Sequence, residues 1–154
     1  MKFCSQCGQS VSRKVPMGDS RERFVCDACD AIHYQNPRVV AGCLPVWNDQ
    51  VLLCRRAIDP RKGFWTLPAG FLENGEACEV GAARETFEEA NAQVDVGELY
   101  TLFSLPHISQ IYLFYRARLI DGIFSAGYES LEVALFDEAK VPWNELAFPV
   151  IKIT

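Results

Sequence analysis

The alternation of apolar and polar residues changes at Val39. The first 33 residues are polar and rich in turn formers, and they have too little periodic apolar content to form a core unaided. After them, the apolar runs VVAGCLPV and VLLCRR are separated by residues 47–50, WNDQ, which predicts two strands joined by a polar turn. A sheet is therefore expected to begin at Val39.

One helix and several more strands are predicted downstream. FWTLPAGFLENGE predicts a strand broken by Pro68 and Gly70, and ACEVGAARETFEEANA predicts one helix that ends near Asn91. The segments QVDVGELYTLFSL, SQIYLFYRARLI and LEVALFDEA have the apolar content of strands, and ELAFPVIKIT is expected to start a helix that stops early. Strands outnumber helices, which predicts a mixed α/β layered fold.

The composition is typical of a globular protein without a large anionic partner. Hydrophobic residues make up 49% of the chain and charged residues 23%, and the net charge is -5. This charge argues against a broad surface for nucleic acid or anionic membrane, so a phosphate substrate would need a bridging metal. The start of the chain, MKFCSQCGQS, lacks the apolar stretch of a signal peptide, and no apolar run is long enough to span a bilayer. We expect a cytoplasmic protein with no nucleic-acid partner and no membrane partner.

Four of the seven cysteines form two close pairs. Eighteen residues separate the pair Cys4 and Cys7 from the pair Cys26 and Cys29, the spacing of two knuckles that each offer two thiolates to one zinc ion. Four thiolates leave no open position for a water, so the predicted zinc is structural, and its binding energy replaces the missing core. The alternative is that these cysteines are buried or free thiols.

The predicted helix concentrates carboxylates on one face. At 100° per residue, Glu85, Glu88 and Glu89 fall within an arc of about 100°, and converging carboxylates suit magnesium, which prefers oxygen ligands. Arg84 stands four residues before Glu88 and can orient a carboxylate. Taken alone, the cluster is more typical of a solvated acidic face than of a metal site. The opposite face is expected to pack on the core and holds Val80, Ala83, Phe87 and Ala90.

The order of these residues resembles the Nudix box, whose pattern is G-x5-E-x7-R-E-U-x-E-E-x-G-U with U a bulky apolar residue. The matching positions are Gly70, Glu76, Arg84, Glu85, Glu88 and Glu89. The departures are Thr86 and Ala92 at apolar positions and Asn91 at the second glycine.

Segments outside the box extend the resemblance. The four cysteines followed by YQNPR are similar to the zinc-ribbon Nudix enzymes, and PHISQIY, YESLEVALF and VPWNELAF look most like plant chloroplast FAD and ADP-ribose pyrophosphatases and their bacterial relatives. The SQPWPFP signature of bacterial NADH pyrophosphatases is absent.

The resemblance implies a fold, a reaction and a metal site. The fold would be a Nudix α/β/α sandwich with a mixed sheet over residues 34–154, preceded by a small four-cysteine zinc ribbon over residues 1–33. The activity would be hydrolysis of the pyrophosphate bond of a nucleoside diphosphate linked to another group, favouring FAD or ADP-ribose, in a homodimer. Mg²⁺ or Mn²⁺ would be held by the Ala69 carbonyl, Glu85, Glu88 and Glu89. Arg84 would orient a glutamate, and Glu76 would support this set.

Further roles stay open at this point. The general base is a box glutamate or Glu129, which stands six residues before Leu135 as the family's downstream glutamate precedes its strand. His33 and His107 are candidates to contact substrate or metal, and Arg55 and Arg56 are candidates to contact phosphate. The alternative for these residues, as for Glu129, is a packed or solvated position without a role in the chemistry. The alternative activities are NADH pyrophosphatase and nucleoside triphosphate hydrolase, and the alternative of another class is a nucleotide-sensing or protein-binding module.

Candidates to clamp adenine, most of them expected in the core, are Tyr112, Phe114, Tyr115, Phe124 and Tyr128.

Overall fold

The chain folds as two units in a computed structural model that describes all 154 residues. The first, which we call the ribbon unit, comprises Met1–Asn36, and the second, the sheet unit, comprises Pro37–Thr154. The division into residues 1–33 and 34–154 stays a prediction. No helix in either unit is long and apolar enough to cross a membrane.

The ribbon unit is a three-stranded antiparallel sheet with almost no apolar interior. Its buried apolar residues are Cys4, Val25 and Cys26, whereas Phe3 and Met17 are exposed. Since burial of apolar surface is the main driving force of folding, these residues stabilise the unit little on their own. In spatial order the strands are β1 (Val11–Lys14), β2 (Arg23–Cys26) and β3 (Ile32–His33).

Each cysteine pair of the ribbon unit lies in a tight turn of the same form. The N–H of Gly8 donates to the Cys4 carbonyl at 2.9 Å, and the N–H of Asp30 donates to the Cys26 carbonyl at 3.1 Å. Gly8 and Asp30 both have positive φ, 75° and 56°, which glycine adopts freely and aspartate tolerates. These turns bring the two sulfurs of each pair to the same side of the backbone.

The sheet unit contains a seven-stranded mixed sheet and two helices, which confirms the predicted mixed α/β class. The spatial order of the main strands is β10-β5-β4-β9-β8, with β6 paired to β5 and β7 paired to β4. Only β4 and β9 run parallel, and the other pairs are antiparallel. The elements are β4 (Arg38–Trp47), β5 (Gln50–Arg56), β6 (Trp65–Thr66), β7 (Ala69–Phe71), α1 (Cys78–Ala90), β8 (Val94–Leu105), β9 (Gln110–Leu119), β10 (Ser130–Phe136) and α2 (Pro149–Ile153).

The sheet is the middle layer between the two helices. On one face Phe114 of β9 and Leu53 of β5 pack with Val150 and Ile151 of α2. On the other face Ala82 of α1 packs among small side chains of β4 and β9, because a helix approaches a sheet closely where side chains are small. The arrangement is the expected α/β/α sandwich.

Two details of the predicted strands differ in the structure. The turn between β4 and β5 consists of Asn48 and Asp49 alone, with φ of 48° and 64°, so Trp47 and Gln50 extend the strands. Gly70 does not break a strand: it lies inside β7 and pairs with Ala41 of β4. The break falls only at Pro68, because proline has no N–H for the ladder.

The predicted core face of α1 is only partly correct, because Ala90 is buried but Val80 and Phe87 are not. Val80 and Phe87 are 55% and 52% exposed, while Glu89 is only 7% exposed. The face that packs against the sheet is therefore the one that carries Glu89, while the Glu88 side chain is 56% exposed. The reason is steric, since that face also presents the small residues that allow a close approach. The buried residues of α1 are Gly81, Ala82, Thr86, Glu89 and Ala90.

Candidate functional site

The four paired cysteines of the ribbon unit converge on one point. Their sulfurs all lie within 4.8 Å of one another. The Cys4 and Cys29 sulfurs are 3.8 Å apart, and those of Cys7 and Cys26 are 3.4 Å apart. Tetrahedral zinc with Zn–S bonds of about 2.3 Å requires sulfurs about 3.8 Å apart, so the residues present fit this ion.

Hydrogen-bond donors and a histidine ring surround two sulfurs of the cysteine cluster, those of Cys4 and Cys26. The backbone N–H groups of Gln6 and Ala28 point at the sulfurs of Cys4 and Cys26, each at 3.4 Å. His33 adds a ring contact, with Nε2 3.3 Å from the Cys4 sulfur. Hydrogen bonds of this kind stabilise a charged ligand and fix its orientation. Of the two histidines, His33 thus contacts a cysteine of the cluster.

The segment from β7 to α1 brings the Glu85 carboxylate against the backbone. A Cβ at Gly70 would overlap this carboxylate, so only glycine allows the contact. Gly81 has a similar role one turn earlier, because a Cβ there would lie 2.7 Å from Leu72 Cδ1 and 2.8 Å from Glu76 Oε1. The two glycines let the carboxylates pack between the strand and the helix.

Arg84 ties together three carboxylates. Its Nη2 and Nε donate to the two oxygens of Glu76 at 2.7 and 3.1 Å, and its Nη1 donates to Glu85 at 2.7 Å and to Glu88 at 3.2 Å. The paired bonds hold the pKa of Glu76 down at about 2. The sequence pairs Arg84 with Glu88 alone, whereas in the structure its bidentate partner is Glu76. A guanidinium held this way fixes the orientation of the glutamates on its helix.

Glu89 is a buried carboxylate with few partners. Its one hydrogen-bond donor is the backbone N–H of Ala69, at 3.3 Å. Burial, and after it the neighbouring Glu85 charge, raises the pKa of Glu89 to about 8. Burial also raises the pKa of Glu85. Such a concentration of poorly compensated carboxylates is a favourable place for a divalent cation with oxygen ligands.

These carboxylates line a cleft of about 1260 Å³ in the sheet unit. Glu129, which precedes β10, also lines it, and its charge is a lesser contribution to the raised pKa of both Glu85 and Glu89. The lining also includes basic and aromatic residues, which suit phosphates attached to flat rings. Those wall residues include Arg38, Arg56, Phe71, Tyr112, Tyr128 and Phe148.

Comparison with family models assigns both units. A model described as Nudix N-terminal, a zinc ribbon, matches residues 2–35, and a model described as NUDIX domain matches residues 36–151. The chain belongs to the Nudix family. The resemblance of its box to the Nudix pattern is thereby confirmed.

Individual Nudix proteins show the extent of this similarity. The crystal structure of a Nudix hydrolase from Nitrosomonas europaea is 58% identical, with a TM-score of 0.97 over 99% of this chain and 87% of that one. An ADP-ribose pyrophosphatase of Methanocaldococcus jannaschii is 32% identical over 78% of this chain and 72% of the relative. An NAD-capped RNA hydrolase, NudC, of Photobacterium profundum is 32% identical over 89% of this chain but only 50% of the relative. The chain thus spans about half the length of the NudC proteins it matches.

The other sequence-based candidates divide between the cleft and the rest of the Nudix domain. Tyr112, Tyr128, His107 and Arg56 line the cleft. Arg55 instead donates to the Gly63 carbonyl and pairs with Glu132. Three candidates for an adenine clamp do not line the cleft: Phe114 and Phe124, which pack in apolar clusters around β5 and β9, and Tyr115, which packs near α1.

Three residues that line the cleft, Arg38, Phe71 and Phe148, were not among the candidates from the sequence. The Arg38 guanidinium lies 4.4 Å from the centre of the Phe71 ring, and that of Arg56 lies 5.3 Å from the Phe148 ring. Phe71 directly follows Gly70 of the box, and this position was the one available signal. Arg38 and Phe148 come from opposite ends of the Nudix domain, so only the fold brings them to the carboxylates.

Proposed function

We propose that the chain is a divalent-metal-dependent hydrolase of the pyrophosphate bond of a nucleoside diphosphate linked to another group. The observation that carries the proposal is the composition of the cleft. Glu85, Glu88, Glu89 and Glu129 line the same cleft as guanidinium and aromatic groups. Family membership supports the same reaction class.

The ion we propose is Mg²⁺ or Mn²⁺, held by Glu85, Glu88, Glu89 and the carbonyl of Ala69. When bound, this ion supplies positive charge that offsets the phosphate oxygens. Hard oxygen ligands suit it, and the burial of Glu89 strengthens the electrostatic attraction. Arg84 has no free role toward substrate, because its guanidinium is already bonded to Glu76, Glu85 and Glu88. It keeps the ligand carboxylates in place.

Protein groups other than the ligands position the reactants. We propose that the Glu129 carboxylate accepts a proton from the attacking water, since it lines the cleft and makes no hydrogen bond that would occupy it. Arg56, which also lines the cleft, is placed to contact a phosphate oxygen, and Phe71 offers a half-exposed ring to a planar group. The four cysteines would hold a structural zinc outside this chemistry.

For the substrate, we propose ADP-ribose or FAD in preference to NADH. A cleft of about 1260 Å³ is large enough for a dinucleotide-sized molecule. The ADP-ribose alternative is supported by the relative from Methanocaldococcus jannaschii, and the FAD alternative rests on the resemblance of the segments downstream of the box. The relatives named NAD-capped RNA hydrolase favour a second candidate, an NAD-type diphosphate.

A substrate panel tests the proposal. FAD, ADP-ribose, NADH, a dinucleoside polyphosphate and a nucleoside triphosphate are each incubated with the protein and Mg²⁺, and the products are separated by chromatography. We expect AMP with FMN from FAD, or AMP with ribose 5-phosphate from ADP-ribose, at a kcat/KM at least about tenfold above that for NADH. NADH or a triphosphate as the best substrate would refute the preference. No cleavage of any compound would favour the nucleotide-sensing alternative.

A further inference from the structure

The C-terminus of α1 is capped by a segment distant in sequence, residues 125–129, which we call the capping segment. The N–H of Ser125 donates to the Ala90 carbonyl at 2.9 Å, and the N–H of Gly127 donates to the Glu89 carbonyl at 3.0 Å. These carbonyls are among the last four of the helix, which have no partner within it. A Cβ at Gly127 would overlap the Glu88 carbonyl oxygen, so the close approach requires glycine.

Asn91 joins the capping segment to the helix through its side chain. Its backbone is left-handed, with φ of 46°, and its N–H donates to the Phe87 carbonyl at 2.8 Å, so it ends the helix as a glycine would. Unlike a glycine, it also offers Nδ2, which donates to Ser125 Oγ at 3.1 Å and to the Ala126 carbonyl at 3.2 Å. Because a backbone carbonyl only accepts hydrogen bonds, the amide nitrogen must be the atom that faces it.

The capping segment leads directly to Glu129. The N–H of Ser130 donates to the Gly127 carbonyl at 3.1 Å, and the N–H of Ala57 donates to the Glu129 carbonyl at 2.8 Å. The backbone of Glu129 is therefore held between α1 on one side and the end of β5 on the other. Its side chain is left to face the cleft that Glu85 and Glu89 also line.

We infer that Asn91 is a positioning residue: its side-chain amide anchors the capping segment and thereby fixes Glu129 opposite the carboxylates of α1. The inference rests on the proposed function, in which Glu129 accepts the proton of the attacking water. It also accounts for asparagine where the family pattern has glycine. The backbone requirement of that position is met by either residue, but only asparagine bonds to the capping segment. Positioning of a reacting group is sensitive to displacements of about 1 Å.

Hydrogen exchange tests the anchoring without reference to activity. Asn91→Gly keeps the left-handed backbone and removes only the amide, and Asn48→Gly is the matched control, because Asn48 is also left-handed, with φ of 48°, in the turn between β4 and β5. We expect the amides of Ser125 and Gly127 to exchange about tenfold faster in Asn91→Gly and at the wild-type rate in Asn48→Gly. Unchanged exchange in Asn91→Gly would overturn the inference.

A kinetic cycle tests the consequence for Glu129. Asn91→Gly should lower kcat by about tenfold with less than a twofold change in KM. In a Glu129→Gln background the same substitution should lower kcat by less than twofold, because the group that it positions is already gone. A merely structural role would lower kcat equally in both backgrounds and would overturn the positioning. So would full turnover by Glu129→Gln. If the wild-type protein cleaves no substrate of the panel, the proposed function fails, and the exchange experiment alone decides the anchoring.

Discussion

The ribbon unit and the Nudix domain each present a cluster of four candidate metal-binding or catalytic side chains, but they support these clusters differently. In the ribbon unit the four sulfurs lie within 4.8 Å of one another and two of the cysteines are among its few buried residues. In the Nudix domain the glutamates line a cleft of a packed sandwich, and the Arg84 guanidinium pairs with two of them, Glu85 and Glu88. Two of the cysteine ligands thus form much of the interior of the ribbon unit. In the Nudix domain the hydrophobic core consists of other residues, and the glutamates are attached to elements that this core holds in place.

This difference decides what a ligand substitution does. A unit with little apolar burial gains its stability from the metal, so loss of a ligand is loss of the fold. A packed domain keeps its fold when a polar group at the cleft is replaced by one of the same shape. A ligand substitution in the ribbon unit should therefore unfold that unit, whereas one in the Nudix domain should abolish hydrolysis and leave the fold intact.

The largest expected effect is on turnover, from Glu89→Gln. The amide keeps the shape of the side chain but cannot balance the charge of a divalent ion, so kcat should fall at least about 100-fold. Glu79→Gln is the matched control, because Glu79 is exposed in the first turn of the same helix and does not line the cleft. Steady-state kinetics with Mg²⁺ and ADP-ribose measure both variants, and circular dichroism checks the fold. Equal kcat in the two variants would show that Glu89 is not a metal ligand.

The smallest expected effect concerns the packing that supports the box helix. Phe87→Ser should change the free energy of unfolding by less than about 1 kcal/mol, because Phe87 is 52% exposed. Ala82→Leu should lower it by about 1–3 kcal/mol, because Ala82 is fully buried and the added atoms overpack the contact with the sheet. Urea denaturation compares the two variants. A larger loss of unfolding free energy from Phe87→Ser than from Ala82→Leu would favour the core face that was predicted from the sequence.

Much of the fold could be predicted because its signals are local. The apolar runs gave the strands, and Asn91 marked the end of α1, where the structure has a left-handed residue. The core face of α1 could not be predicted from periodicity, since Val80 and Phe87 are more apolar than the residues that are buried. Glu89 is buried where α1 approaches the sheet through small residues and where the Ala69 N–H of β7 donates to its carboxylate, features that a hydrophobicity pattern does not contain.

The candidate site divides in the same way. The cysteine spacing and the box were sufficient to name the residues proposed as ligands, because each set lies within a short segment. The basic and aromatic wall was not predictable, because Arg38 begins β4 and Phe148 precedes α2, about 110 residues apart in the sequence. Fragments this distant reach one cleft only because the segment that begins α2 packs on the sheet that contains β4.

A comparison of Cys29→Ser with Glu89→Gln decides whether the two clusters act separately. Zinc content, proteolysis of residues 1–36 and Mg²⁺-dependent hydrolysis of ADP-ribose are measured in both variants. We predict that wild type carries one zinc per chain, and that Cys29→Ser loses it, becomes protease-sensitive in the ribbon unit and keeps measurable hydrolysis. Glu89→Gln should keep both the zinc and the protease resistance but lose hydrolysis. A wild-type protein without zinc, or a Cys29→Ser variant with a folded Nudix domain and no hydrolysis, would contradict the separation of the two clusters.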